Sequence, residues 1–237
     1  KDLSVEDILV RSSNVGSVVL AKKIGEKKYR EFIDKTKLTK NPEIELEEVG
    51  VPHKLKWNKC KLETVSYGHG ITTTPLQATA LYAAMTNGGK LIVPTLMKNE
   101  KQQKPDTIIS KNTSKQLVDI LREVVSSKNG TASLADKDGY YVGGKTGTAV
   151  SYGGNKNRIN TFISVFPTNK PKYSLFIMLE NPKINKNLIY NYRGVKTKAP
   201  YNTSGWNSVY IAGKIIEKIG PILAINNEDF IDQYVVE

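Results

Sequence analysis

Two short groups of polar residues in this chain have the types needed to move a proton and to bind a carboxylate. They are Ser12-Ser13-Asn14 and Lys145-Thr146-Gly147-Thr148. A serine hydroxyl beside a lysine can relay a proton to a leaving amine, and an asparagine amide can orient a lysine and a substrate carbonyl. Lysine and neighbouring hydroxyls can together hold a carboxylate. Because the groups lie far apart in the chain, this chemistry requires a fold that returns the second group to the first.

Each group also has a plain structural interpretation. The second group lies in a strand-like segment, where Lys145 and Gly147 would share one face and Thr146 and Thr148 the other. Gly147 would let a substrate lie against the backbone. Taken alone, however, the segment is equally typical of a strand with a glycine bulge and a solvated lysine. Ser-Ser-Asn taken alone is more typical of a helix terminus, because these side chains compete with the helical backbone.

The composition favours a folded chain without a nucleic-acid partner. There are 35 Lys and Arg residues against 23 Asp and Glu residues, for a formal net charge of +12. The excess is mostly lysine spread evenly along the chain, which favours a general lysine richness over one anionic partner. No run of arginine alternating with aromatic residues indicates nucleic-acid binding. Hydrophobic residues make up 39% of the chain, enough for a core, and no apolar stretch approaches the roughly 18 residues of a membrane span.

The cysteine and histidine content gives no sign of a metal site. Cys60 is the single cysteine, so neither an internal disulfide nor a thiolate cluster is possible. His53 and His69 lack metal-ligand spacing, and each is more typical of a structural hydrogen bonder. We therefore expect no metal and no cofactor.

The periodicity of the chain predicts helices first, then three strands in sequence, then one helix. This order is typical of an α+β fold with an antiparallel sheet. The predicted helices lie at 4–12, 15–22, 26–36, 74–88, 114–127 and 207–219. The three strands in sequence are predicted at 140–150, 160–167 and 173–179, and a further strand is predicted at 91–97 among the helices. We expect an irregular excursion over 38–62 and a polar loop over 183–202.

Several segments together identify a family resemblance. The chain resembles the transpeptidase domain of class B penicillin-binding proteins, and more narrowly the septal, division-specific members. The matching segments, in family order, are Ser4-Val5-Glu6-Asp7-Ile8, Ser12-Ser13-Asn14-Val15-Gly16, Ser66-Tyr67-Gly68-His69-Gly70-Ile71, Thr74-Pro75-Leu76-Gln77, Asn87-Gly88-Gly89, Gly144-Lys145-Thr146-Gly147-Thr148-Ala149 and Thr203-Ser204-Gly205-Trp206.

The resemblance implies a β-lactamase-like fold with an antiparallel sheet, a C-terminal covering helix and a helical subdomain. It also implies one domain over 1–237, in which 1–137 is mainly helical and 138–237 contains the sheet and the terminal helix. The family's nucleophile is the serine of a Ser-x-x-Lys motif. No serine of this chain has lysine three positions later. We therefore expect a truncated domain that lacks the first part of the fold and is inactive alone.

The resemblance further implies a serine-type D,D-transpeptidase that cross-links peptidoglycan stem peptides ending in D-Ala-D-Ala. β-Lactams would acylate the same serine. By position, Ser12 would shuttle a proton, Asn14 would orient the acyl amide and the missing lysine, and Lys145 would hold Ser12 and favour an anionic substrate. Thr146 and Thr148 would bind the terminal carboxylate beside Gly147, and the backbone N–H of Thr148 would form half of an oxyanion hole.

The parent protein would lie at the periplasmic face of the bacterial inner membrane through an N-terminal anchor outside this chain. Its partners would be membrane proteins of the division complex. One alternative is a β-lactamase or β-lactam sensor of the same superfamily, against which the 38–62 excursion and the Tyr67-Gly68-His69-Gly70 stretch argue. Another is a non-catalytic module that binds division partners, which an upstream sequence without Ser-x-x-Lys would favour.

Overall fold

The structure, a computed structural model, describes residues 2–98, 104–150 and 157–225. In these residues most helices precede the main sheet, and one long helix follows it. The helices are α1 (Val5–Val10), α2 (Asn14–Ile24), α3 (Glu26–Lys35), α4 (Lys61–Ser66), α5 (Pro75–Thr86), α6 (Lys111–Ser126) and α7 (Ser208–Ile225). The strands are β1 (Lys90–Leu91), β2 (Asp106–Thr107), β3 (Gly143–Val150), β4 (Arg158–Phe166), β5 (Tyr173–Glu180), β6 (Tyr190–Tyr192) and β7 (Val195–Thr197). Short 3-10 turns lie at Ser133–Ala135 and Ser204–Trp206.

The turn between α1 and α2 is built from local hydrogen bonds. Ser12 takes a left-handed conformation with φ 57°, which ends α1 and reverses the chain. Ser13 then caps α2, because its hydroxyl accepts a hydrogen bond from the Gly16 N–H at 3.1 Å. Gly16 packs so closely on α1 that an added Cβ would lie 2.5 Å from Cγ1 of Ile8. The two helices therefore hold Ser12 at the tip of a tight turn.

The main sheet is an antiparallel meander in the order β3-β4-β5. In its register Lys145 lies opposite Ile163, and Ile163 lies opposite Phe176. α7 packs on β4 and β5, and α6 packs against β3. The α7 side chains Val209, Ala212 and Ile216 are fully buried in one core with Phe162 of β4 and with the α6 residues Val124 and Val125. The predicted α+β fold with a covering C-terminal helix is confirmed.

Three of the predicted elements differ from the structure. The strand predicted at 91–97 is wrong, since only Lys90–Leu91 pairs, with Asp106–Thr107, and Pro94 cannot donate to a ladder. Helix α6 begins at Lys111, because the Ser110 hydroxyl accepts from the Thr113 N–H at 3.0 Å and caps it there. Helix α7 continues past 219 through Pro221 to Ile225, and Leu223 packs on the core beyond the proline.

Helix α4 and the β6–β7 hairpin were not predicted from the sequence. Helix α4 lies at the end of the expected irregular excursion and begins after Cys60, whose φ is 64°. The expected polar loop over 183–202 contains the β6–β7 hairpin, whose two turn residues, Arg193 and Gly194, have φ 54° and 82°. Such turns usually carry Asn-Gly or Asp-Gly, and Arg-Gly gives a weaker signal. Among the helices that the structure describes, none is both long enough and apolar enough to cross a membrane.

Candidate active site

The fold brings the two polar groups together. The ammonium of Lys145 on β3 donates to the hydroxyl oxygen of Ser12 at 2.6 Å, although 133 residues separate them. The same ammonium donates to the carbonyl oxygen of Thr146 at 3.2 Å. Ser12 is held by its turn, where its own N–H donates to the Leu9 carbonyl at 3.2 Å. The α1–α2 turn and strand β3 therefore present one hydroxyl and one ammonium to the same point.

Partial burial changes the acidity of Lys145. Its side chain is half-buried, and loss of hydration disfavours the charged form, which lowers the pKa of Lys145 to about 8. The lysine is therefore mostly charged at neutral pH but can lose its proton at small cost. A group with a pKa near the working pH is suited to proton transfer with a bonded hydroxyl.

Beside Lys145, four hydroxyl groups line the next part of β3. Thr146 Oγ1 lies 2.9 Å from Thr131 Oγ1, and Thr148 Oγ1 lies 2.8 Å from Ser204 Oγ. The Ser204 hydroxyl also bonds the carbonyl oxygen of Gly147. We call Thr131, Thr146, Thr148 and Ser204 the hydroxyl row. Of these four, Thr146 and Thr148 line the adjoining cavity, and hydroxyls beside an ammonium are suited to binding a carboxylate.

Sequence reasoning missed two members of the hydroxyl row. Ser204 lies in a segment that carried the family resemblance, but no role was expected for it. Thr131 lies just after the helix predicted at 114–127, in a segment for which no role was expected. Their contacts with Thr148 and Thr146 depend on long-range packing, so spacing along the chain could not identify them.

A cavity of about 710 Å³ opens beside these groups. Its polar lining residues include Ser12, Asn14, Ser17, Ser66, Lys145, Thr146 and Thr148. Asn14 is the exposed first residue of α2, so the structure places this predicted residue at the cavity as well. Its apolar and aromatic lining residues include Ile8, Leu9, Tyr82, Met85, Leu117, Ile120, Leu121 and Val124.

The rim of the cavity carries two aromatic rings. Tyr67 and His69 stack with their centroids 6.4 Å apart, and both line the cavity. The ammonium of Lys61 donates to the Gly70 carbonyl at 2.8 Å and fixes the end of this turn. Among the described residues, no three His, Cys, Asp or Glu side chains are placed to bind a metal ion.

Curated proteins similar to this chain include a probable peptidoglycan D,D-transpeptidase and a sporulation protein. The chain is 30% identical over 240 residues to the probable peptidoglycan D,D-transpeptidase FtsI of Caulobacter vibrioides, covering 95% of this chain and 39% of the relative. It is 32% identical over 196 residues to the stage V sporulation protein D of Bacillus subtilis, covering 75% of this chain and 30% of that protein. The chain therefore spans well under half the length of these relatives.

Solved structures show the same fold. The apo transpeptidase domain of Burkholderia pseudomallei penicillin-binding protein 3 matches with a TM-score of 0.76 at 21% identity, over 93% of this chain and 65% of that one. Penicillin-binding protein 3 of Mycobacterium tuberculosis complexed with ampicillin matches with a TM-score of 0.75 at 24% identity, over 92% of this chain and 51% of that one. Residues 1–203 match the penicillin binding protein transpeptidase domain family, and the chain belongs to that family.

Proposed function

We propose that this chain is part of a serine-type D,D-transpeptidase that cross-links peptidoglycan stem peptides at the division septum. The observation that carries the proposal is the 2.6 Å contact between Lys145 Nζ and Ser12 Oγ. Such a contact can hold the serine hydroxyl where it passes a proton to a group bound in the adjoining cavity. The nucleophile would be a Ser-x-x-Lys serine on a segment outside this chain.

In the proposed acylation, the nucleophile's oxygen bonds to the carbonyl carbon of the penultimate D-Ala. The C–N bond to the terminal D-Ala breaks, and its nitrogen takes one proton. That proton originates on the nucleophile's hydroxyl and reaches the leaving nitrogen through the nucleophile's lysine and Ser12. Asn14 would orient that lysine and the acyl amide. The amine of a second stem peptide then attacks the ester and releases the serine.

The terminal carboxylate would bind to Thr146 and Thr148, with the ammonium of Lys145 supplying the opposite charge. Gly147 allows β3 to pack closely on β4, because an added Cβ would lie 2.5 Å from Oγ1 of Thr161. The backbone N–H of Thr148 would form half of an oxyanion hole, and the nucleophile's own N–H would form the other half. No cofactor takes part in this scheme.

The septal assignment and the location rest on the relatives. The proteins most similar to this chain include peptidoglycan D,D-transpeptidases named FtsI from Caulobacter vibrioides and Escherichia coli. By this likeness we propose that the full-length protein acts at the periplasmic face of the inner membrane, through an anchor outside this chain. Membrane proteins of the division complex would be its partners, and β-lactams would be its inhibitors.

Acylation by a fluorescent penicillin tests the proposal. The full-length protein should label covalently, and Lys145→Ala should label about 100-fold more slowly or worse, because the proton-relay hydroxyl of Ser12 loses the ammonium that holds it. Lys115→Ala is the matched control, because Lys115 is an exposed lysine on α6 that pairs with Asp119. Equal labelling rates for the two variants would contradict the proposal.

Two further results separate the alternatives. The isolated chain of residues 1–237 should not label, because no serine in it has the activating lysine. Stoichiometric labelling of this chain would place the nucleophile within it. Rapid deacylation of the labelled full-length protein would instead indicate a β-lactamase, and a full-length sequence without Ser-x-x-Lys would indicate a binding module.

A further inference from the structure

The β6–β7 hairpin contacts the segments that carry both ends of the hydroxyl row. One contact is made by Arg193 at its turn and reaches the chain just before Thr131. The other is made by aromatic residues of β6 and reaches the 3-10 turn that carries Ser204. The hairpin therefore supports the site without contributing a residue to it.

Arg193 bonds the backbone at the C-terminal end of α6. Its guanidinium donates to the Ser127 carbonyl at 2.6 Å and to the Gly130 carbonyl at 3.3 Å. Gly130 is followed directly by Thr131, whose hydroxyl contacts Thr146 at 2.9 Å. Both hydrogen bonds come from one nitrogen, Nη2, which therefore ties the Ser127 and Gly130 carbonyls to the same point.

The aromatic contacts fix the opposite end of the row. Tyr192 stacks on Trp206 with ring centroids 4.9 Å apart, and Tyr190 meets the same ring edge-on at 5.4 Å. Arg193 lies over the Tyr192 ring at 5.3 Å, so the guanidinium and the indole are joined through one tyrosine. Trp206 is two residues from Ser204, which bonds Thr148.

The two supported segments also touch each other. Gly205 lies against the Thr131 carbonyl, where an added Cβ would come within 2.8 Å of the oxygen. A displacement of Thr131 would therefore be passed to the turn that carries Ser204. The β6–β7 hairpin contacts both of these segments, through Arg193 and through Tyr190 and Tyr192.

The backbone of Arg193 is unusual for its residue type. Its φ of 54° lies in the left-handed region, where glycine, asparagine and aspartate are favoured. Asparagine at this position would suit the turn better. An arginine kept in an unfavourable conformation indicates that its side chain has a use there.

We propose that Arg193 is a positioning residue that sets the hydroxyl row for binding the substrate's carboxylate. This inference rests on the proposed function, since it assigns that carboxylate to the row. Arg193 itself touches no substrate. It acts by holding the segment before Thr131 and, through Tyr192, the turn before α7.

Acylation kinetics of the full-length protein test the proposal. Arg193→Asn should lower the acylation rate by benzylpenicillin by about 10-fold to 100-fold, because a small misplacement of binding groups has effects of this size. The same variant should change the rate with the benzylpenicillin methyl ester by less than about 2-fold, because the ester lacks the carboxylate that the row would hold. An equal loss with both compounds would show a general structural role and overturn the proposal.

The variants are chosen to keep the hairpin folded. Asparagine suits the two-residue turn, so Arg193→Asn removes the guanidinium without weakening the turn. Arg193→Lys keeps the charge but lacks the planar guanidinium that lies over the Tyr192 ring, and it should restore little of the lost rate. Lys196→Ala removes a charge from the same hairpin at an exposed position, and its rate should match that of the unchanged protein.

A second measurement does not depend on activity. In the full-length protein labelled at its threonine methyl groups, the resonances of Thr131 and Thr146 should shift or broaden in Arg193→Asn and remain unchanged in Lys196→Ala. Unchanged resonances in Arg193→Asn would overturn the positioning role even if penicillin labelling succeeds. If the unchanged full-length protein fails to label with either compound, the proposed function fails, and the resonances still decide whether Arg193 positions Thr131.

Discussion

Thr148 and Ser204 share a hydrogen bond of 2.8 Å between their hydroxyl groups, although 56 residues separate them in the chain. The Ser204 hydroxyl also bonds the carbonyl oxygen of Gly147. One side chain from the turn before α7 thus fixes both a side chain and a backbone group of β3. The geometry of this part of β3 therefore depends on the 3-10 turn that precedes the terminal helix.

The first prediction concerns Ser204. Ser204→Ala should lower the acylation rate of the full-length protein by benzylpenicillin about 10-fold, because Thr148 and the Gly147 carbonyl lose the group that orients them. Ser133→Ala is the control, since the buried Ser133 hydroxyl has no hydrogen-bond partner among the described residues and its loss should be nearly neutral. Equal rates for the two variants would refute the role of Ser204.

The second prediction is a pH dependence. The Lys145 ammonium loses its proton as pH rises through its pKa of about 8. The acylation rate, which depends on this positive charge, should therefore be highest below pH 8. Above pH 8 the rate should fall by up to about 10-fold per pH unit. Lys145→Arg stays charged over this range. Its acylation rate can differ in size from that of the unchanged protein, but it should not fall as the pH rises above 8. The rate of acylation by benzylpenicillin between pH 6.5 and 9.5 measures this.

Other titratable groups face the same cavity. Burial raises the pKa of Tyr82, so this phenol stays protonated over the measured range. Tyr67 and His69 line the rim. His69→Gln and Tyr67→Phe should therefore keep the alkaline fall in rate. Loss of that fall in either variant would assign the titration to the rim instead of Lys145.

The third prediction concerns the packing of α1 on α2. In Gly16→Ala the new Cβ would lie 2.5 Å from Cγ1 of Ile8, which is 7% exposed. The helices must separate and carry Ser12 away from Lys145, so acylation by fluorescent penicillin should slow by about 10-fold. Adding Ile8→Ala should restore part of the rate. Val15→Ala on the same helix, at a site 76% exposed, should have little effect. Failure of Ile8→Ala to restore any rate would contradict this explanation.

The fourth prediction concerns the isolated chain. The cavity of about 710 Å³ has a largely apolar lining, and several partly bare apolar side chains at roughly 1.5–3 kcal/mol each can offset a stability of about 5–15 kcal/mol. The chain of residues 1–237 should bind a hydrophobic dye and melt without a sharp transition. Extension to the upstream segment with Ser-x-x-Lys should abolish dye binding. A sharp melt of a monomer without dye binding would show that the chain is a complete domain.

The elements that were predicted correctly are those with local signals. Thr74 accepts from the Gln77 N–H at 3.1 Å and Pro75 begins α5, as the cap and proline indicate. The three strands of the meander follow from alternating apolar residues. The β6–β7 hairpin was missed because Arg193 occupies a turn position that usually carries asparagine, and its stability comes from long-range contacts with Trp206 and with the chain after α6.

In the candidate site, too, the residues with local sequence signals could be predicted and those that depend on long-range packing could not. Ser12, Asn14 and Lys145 could be selected from sequence because each lies in a short motif, and the structure places all three at one cavity. Thr131 could not be selected, because its relation to Thr146 depends on where α6 ends relative to β3. The lowered pKa of Lys145 was also beyond prediction, since it depends on burial.

The most direct test of the central claim is a double-mutant cycle on Ser12 and Lys145. The rate of acylation by fluorescent penicillin is measured for the full-length protein, for Ser12→Ala, for Lys145→Ala and for the double variant. If the pair acts as one proton relay, each single change should lower the rate by roughly 10²–10⁴-fold, and the double variant should be little slower than the slower single variant. Effects that simply multiply would show that the two residues act independently and would contradict the account.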